Sequence, residues 1–148
     1  MTADAPRPAV AADVPAVKAV TEAAFHHYIE RIGLVPSPME NDHAANVAAG
    51  RVFVAGDPVR GLVVVVPAAD HLYLDTIAVH PQAQGTGLGR TLLRWVEAHA
   101  RELGVPEVRL LTNAMMWENQ KLYERYGYEL VERRADGPYD RMHYRKAL

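Results

Sequence analysis

Leu72 to Leu93 reads LYLDTIAVHPQAQGTGLGRTLL. Its first half is apolar and β-prone, which predicts a strand over His71–Val79 that Pro81 stops. Its second half begins with Gln84-Gly85-Thr86-Gly87-Leu88-Gly89 and runs into the clearest helical pattern in the chain. Leu88, Leu92, Trp95, Val96, Ala100 and Leu103 recur at helical spacing, which predicts a helix over Gly87–Leu103 closed by Gly104. Alternate glycines let the backbone between strand and helix curl with several N–H groups turned inward. Such a nest at a helix N-terminus binds phosphate oxygens through amides and the helix dipole. A bare glycine-rich turn without a ligand is the plain alternative, because short glycine motifs carry little information alone.

Two other phosphate-binding loops fail on spacing. A Walker loop needs Gly-Lys-Ser/Thr, and this stretch has no lysine. The dinucleotide fingerprint needs a third glycine where Arg90 stands, so a dinucleotide-binding protein is disfavoured.

Outward from this stretch, short strands are expected at Arg7–Val10, Arg51–Ala55, Gly61–Val66, Glu107–Thr112, Tyr128–Arg134 and Tyr139–Lys146. Gly61–Val66 is a continuous β-branched run, the pattern of a strand covered on both faces. A helix starts near Asp13, a candidate N-cap, and Val14, Val17, Ala24, Phe25 and Tyr28 form its stripe. Gly33–Met39 reads as loop, Asn41–Ala49 as a short helix, and Glu118–Tyr126 as another. The order β-α-α-β-β-β-α-β-α-β-β predicts an α/β fold with a mixed central sheet of about seven strands and about four flanking helices. With no repeat or linker, residues 1–148 read as a single domain.

The bulk numbers narrow the function. The net charge is −2, so no basic surface points to nucleic acid, and an anionic ligand must be held by local groups. The chain has no cysteine, which excludes disulfides, a Cys–Zn site and a cysteine nucleophile, and which fits a cytoplasmic location. MTADAPRPAV lacks the apolar core of a signal peptide, and the run Leu62–Val66 is far too short to cross a bilayer. The adjacent His26 and His27 point in different directions on a helix, so no metal site is expected.

The glycine stretch resembles the pyrophosphate motif of the GNAT family of acetyltransferases, Arg/Gln-x-x-Gly-x-Gly/Ala, with Gln84, Gly87 and Gly89 at the fixed positions. RPAVAADVPAV at the start is similar to the family's opening strand and helix, and LYERYGY, Leu122–Tyr128, to its LYEKxGF segment. The resemblance covers nearly the whole chain. It implies acetyl-CoA as co-substrate, with the pyrophosphate on the amides of Gly85, Thr86, Gly87, Leu88, Gly89 and Arg90. It also implies a pantetheine arm paired with the backbone of Ile77, Ala78 and Val79. Where many members carry an asparagine seven residues before the tyrosine, this chain has Met116, and the cofactor contact is carried to Asn119 instead.

The resemblance implies Tyr123 as the acid that protonates the leaving thiolate. Asp75 is the candidate base, because a carboxylate inside an apolar strand is costly unless it is paired or faces a cavity. By simple alternation Tyr73, Asp75 and Ile77 share one face. A backbone N–H near Ala78 or Val79 is the expected oxyanion donor. His26, His27, Tyr28, Arg31 and Met39, with Trp117, His143 and Tyr144 opposite, are the expected walls of the acceptor pocket. The reaction expected is acetyl transfer to a primary amine of a small molecule, amino acid or protein terminus by direct attack. A catalytically silent acyl-CoA-binding module is the competing class. The resemblance further implies pairing as a homodimer.

Overall fold

A computed structural model describes residues 5–148. Seven strands form one sheet: β1 (Arg7–Pro8), β2 (Val52–Ala55), β3 (Gly61–Pro67), β4 (Leu72–Val79), β5 (Glu107–Asn113), β6 (Glu129–Asp136) and β7 (Tyr139–Ala147). Their spatial order is β1-β2-β3-β4-β5-β7-β6. Only β4 and β5 run parallel, which makes the sheet mixed. The helices are α1 (Val14–Phe25), α2 (Tyr28–Ile32), α3 (His43–Ala48), α4 (Leu88–Leu103) and α5 (Trp117–Arg125). The expected α/β architecture is present, with five helices where about four were predicted.

The β-branched run of β3 behaves as its composition requires. Leu62, Val63, Val64 and Val65 are all buried, and alternation sends them into two cores. Val63 and Val65 join Leu88, Leu92, Leu93, Val96 and Ala100 on the α4 face, together with Tyr123, Tyr128 and Tyr144. Leu62 and Val64 join Val17, Val20, Ala24, Phe25 and Tyr28 on the α1 face. Each buried Val or Leu contributes roughly 1.5–3 kcal/mol, so this strand anchors both layers.

Several local readings shift. The helical stripe through Tyr28 is real as burial, but the helix breaks at His26–His27 and restarts as α2, which Gly33 ends at φ 78°. Asp13 sits at the cap position of α1 but does not cap it. Its carboxylate turns back to accept from the Val10 N–H at 2.8 Å and from Arg7 at 3.1 Å, satisfying the turn before the helix. Asp42 is a true cap, accepting from the Ala45 N–H at 3.0 Å. Within Gly33–Met39, expected as loop, a 3-10 turn begins at Ser37 and runs to Glu40. Leu103, expected in the apolar stripe, is 46% exposed at the last turn of α4.

Candidate active site

The parallel pair β4–β5 stays in register for only three residues, Leu72 with Val108, Tyr73 with Arg109 and Leu74 with Leu110. Beyond Leu74 the two strands part. β4 continues against β3 to Val79, and β5 continues against β7 to Asn113. The edge of β4 that faces β5 therefore has no strand partner from Asp75 to Val79.

Alternation decides which groups line that open edge. His80 donates its N–H to the Arg60 carbonyl at 2.8 Å. Backbone groups alternate sides along a strand, so Ala78 also turns its N–H and C=O toward β3. Ile77 and Val79 turn theirs into the slot. The side-chain amide of Gln84 reaches the Val79 carbonyl there at 3.3 Å. Of the three residues expected to offer backbone to a ligand, Ile77 and Val79 turn theirs to the slot and Ala78 turns its toward β3.

The register slips at Val64/Val65, where Thr76 and Leu74 of β4 are consecutive partners and Asp75 is left over. This is a β-bulge, which re-aims side chains. Before it, Leu72 and Leu74 point into the α4 core; after it, Ile77 and Val79 do, while Ala78 lies in the α1 core. The expectation that Tyr73, Asp75 and Ile77 share a face is thus corrected, because one extra residue inverts the alternation. Asp75 turns to the α1 side, where its Oδ2 accepts from Asn41 Nδ2 at 3.1 Å and from the Thr76 hydroxyl at 3.1 Å. Its Oδ1 has no hydrogen-bond partner among the described residues.

The slot opens a cavity of about 220 Å³ that Asp75 and Thr76 line from β4, Leu111, Thr112 and Asn113 from β5, and Tyr123 from α5. Tyr123 is buried on the α4 face with its ring 6.0 Å from those of Tyr128 and Tyr144. Its hydroxyl has no hydrogen-bond partner among the described residues. Burial, then the neighbouring Tyr28, Tyr144 and Tyr73, pushes its pKa well above the ordinary phenol value. Met116 is buried at the same wall, and its sulfur receives the Thr112 hydroxyl and the Asn119 amide, each at 3.6 Å. Asn119 lines the cavity too.

The glycine stretch leaves the end of β4 through a 3-10 turn at Pro81–Ala83. Gly85 and Gly87 hold φ of 81° and 88°, a left-handed backbone that excludes most side chains. Gly87 is the N-cap of α4, so the N–H groups of Leu88, Gly89 and Arg90 have no intrahelical acceptor. A Cβ on Gly85 or Gly87 would meet no protein atom within 4 Å, and one on Gly89 would only touch Leu122 and Val79 at 4.0 Å. The surface outside these glycines is open to a ligand's approach, which fits a pyrophosphate.

The expected acceptor walls are corrected. His26, His27, Tyr28, Arg31, Met39, Trp117, His143 and Tyr144 do not line this cavity. Arg31 instead pins α2 to α5 through Glu118 at 2.8 Å and stacks 4.4 Å from the Trp117 ring. Tyr28 donates to the same carboxylate at 3.1 Å. His143 and Tyr144 belong to a second groove beside Arg109 and Arg145. The walls are Phe25, Ile32 and the Pro36–Pro38 turn on one side, and Tyr73, Tyr139 and Arg141 on the other. Nothing in the sequence marked Asn41, Tyr139 or Arg141, because their placement depends on how β7 and the segment before α3 meet in space.

Residues 48–130 match the family described as acetyltransferase (GNAT) domain, more than half of the chain. No protein of curated function matches it. Among solved structures, the chain is similar to PaiA N-acetyltransferase of Thermoplasma acidophilum in complex with coenzyme A. The two share 16% identity, with 97% of this chain and 98% of that one covered at a TM-score of 0.83. It is also similar to the ribosomal-protein-S18-alanine N-acetyltransferase of Escherichia coli, at 22% identity, 97% and 93% coverage and a TM-score of 0.77. A GNAT-family acetyltransferase of Listeria monocytogenes is 19% identical, with 98% and 95% coverage and a TM-score of 0.74. At these identities the likeness is one of fold. The matched stretch contains both the open edge of β4 and the glycine turn that follows it, and on that ground the chain belongs to the GNAT acetyltransferases.

Proposed function

We propose that this protein transfers an acetyl group from acetyl-CoA to a primary amine by direct attack within a ternary complex. One observation carries the reading. A carboxylate with a free oxygen, Asp75, and a phenol with an unpartnered hydroxyl, Tyr123, approach one cavity from opposite faces of the sheet, through the slot between β4 and β5.

Acetyl-CoA supplies an activated acyl carbon and a thiolate leaving group. Gly85, Thr86, Gly87, Leu88, Gly89 and Arg90 offer backbone amides to its pyrophosphate, and Gln84 holds the turn against Val79. Ile77 and Val79 offer the slot edge to its pantetheine arm, and Asn119 a side-chain amide at the same wall. The incoming ammonium gives one proton to Asp75 or to water. A C–N bond forms at the acetyl carbon and the C–S bond breaks, while a second proton leaves nitrogen. The Val79 N–H is aimed at the slot as oxyanion donor, a contribution of about 3–4 kcal/mol. Tyr123 stays protonated in its buried setting and hydrogen-bonds the departing sulfur, which takes up the proton released.

The protein is read as a single domain over residues 1–148, working in the cytoplasm on a small-molecule or peptide amine. β6 is exposed along its whole length, with Leu130 and Val131 outward, which supports pairing of two copies along that edge.

The test is release of CoA thiol from acetyl-CoA with a pool of amines, comparing the native protein with Tyr123→Phe. Turnover that falls at least a hundredfold while acetyl-CoA affinity holds is the expected result. Acetyl-CoA binding with no thiol release on any amine would favour the silent acyl-CoA-binding module. Absence of acetyl-CoA binding would defeat the reading.

A further inference from the structure

The acceptor half of the cavity carries two opposite charges with unused hydrogen-bonding capacity. Asp75 offers Oδ1 on one side. On the other, Arg141 donates Nη1 to Asp136 at 2.8 Å and Nη2 to the Ser37 hydroxyl at 2.9 Å. These bonds take two of the five N–H groups of a guanidinium, and Nε–H has no partner among the described residues. Asp136 is half exposed, so water screens its hold on Arg141. The phenol of Tyr73 senses both charges. Burial pushes its pKa up to about 12, with Asp75 adding to the rise and Arg141 opposing it.

The same wall is stitched shut. Tyr139 donates its hydroxyl to the Val35 carbonyl at 3.0 Å, two residues from the Arg141–Ser37 bond. The Arg141 guanidinium lies 4.8 Å from the Tyr139 ring centroid. Each bond joins residues 104 apart in sequence, so the segment between α2 and α3 is fastened to β7 at two points. A polypeptide entering amine-first would have to pass this wall, and its first carbonyl would bring no charge to Arg141.

We infer that the acceptor is a small free amino acid or similar zwitterion, its amine directed to Asp75 and its carboxylate to Arg141. The inference rests on the acetyltransferase reading above. It names the substrate class that satisfies both charges in a cavity of this size.

The experiment measures thiol release by the full chain with acetyl-CoA and matched acceptors: free amino acids, their carboxamides, and short peptides with the same first residue. We expect kcat/KM at least tenfold higher for free amino acids. Arg141→Gln should raise KM for the free acids at least tenfold while leaving carboxamide KM within threefold. Arg141→Lys should recover part of the preference, because charge is kept and the fork is lost. If Arg141→Gln does not fold, the native acceptor pairs and Arg141→Lys still carry the test. Equal or better turnover of carboxamides or peptides overturns the inference and leaves the acetyltransferase reading standing. So does a carboxylate preference that survives Arg141→Gln. Failure to bind acetyl-CoA at all removes the reading beneath it.

Discussion

Arg31 and Glu118 lie 87 residues apart in the chain and meet at 2.8 Å, with the Tyr28 hydroxyl on the same carboxylate oxygen at 3.1 Å. The pair ties the short α2 to the first turn of α5, the helix that carries Tyr123. The Arg31 guanidinium, foremost, holds the Glu118 carboxyl down to about 2. A depressed carboxyl stabilises the fold above its unfolded value of about 4.5, and that contribution fades as pH falls toward 2. Thermal melts of native protein and Glu118→Gln should differ at pH 6 and converge near pH 2. Because Glu118 is more than half exposed, the gap at pH 6 should be only about 0.5 kcal/mol. A gap that widens on acidification would contradict the assignment.

Tyr123 gives a second test through pH. Burial raises its phenol, so the hydroxyl remains protonated throughout the range in which the protein is handled. The pH profile of kcat should therefore show no falling limb from Tyr123 below pH 10. A decline near pH 8–9 that Tyr123→Phe abolishes would mean that the phenol ionises there.

Gly89 separates stability from binding. It lies in the first turn of α4, and a Cβ there would meet protein only at 4.0 Å. Gly89→Ala should raise stability, by up to about 1 kcal/mol from helix propensity. The motif admits Gly or Ala at this position, so the amides of the turn should stay accessible and the Kd for CoA should stay within about threefold. Calorimetric titration with a melting curve on the same sample reads both. A lower Tm, or a large loss of affinity, would contradict the open first turn described for α4.

Tyr128 tests the support behind Tyr123. Its hydroxyl donates at 3.1 Å to Glu97, a buried carboxylate that also receives Lys146 at 3.0 Å. Tyr128→Phe should cost about 1.5–3 kcal/mol, the range for a hydrogen bond to a charged group. Acetyl-CoA affinity should stay within twofold, because this triad lies away from the slot. Urea denaturation checks the first and titration the second.

How far the sequence could be read differs from region to region, for physical reasons. Period and punctuation were strong in β3 and α4, where β-branched residues or a leucine stripe lie between glycines and prolines, and those elements fell within a residue of expectation. The glycine turn was legible because positive φ demands glycine at Gly85 and Gly87. The acceptor wall was not legible. Tyr139 and Val35, or Arg141 and Ser37, meet only after strands distant in the chain are assembled, and no local pattern encodes such a meeting. Asp75 stood out as a polar residue in an apolar strand, but its direction did not, because a bulge leaves no mark on composition.

That bulge gives β4 two faces in succession, and it does so with one residue. Upstream of Asp75 the even-numbered side chains look toward α4, and downstream the odd-numbered ones do. Deleting Asp75 would join Leu74 to Thr76 in unbroken alternation opposite Val65 and Val64, and would leave Ile77 and Val79 on the α4 side with their amides still toward the slot. The strand would stay paired and its cores filled, while the carboxylate set beside Thr76 would be gone from the cavity. The surplus residue is thus one that the ladder can spare and the site cannot, an insertion that lets a buried strand present a charge without giving up its pairing.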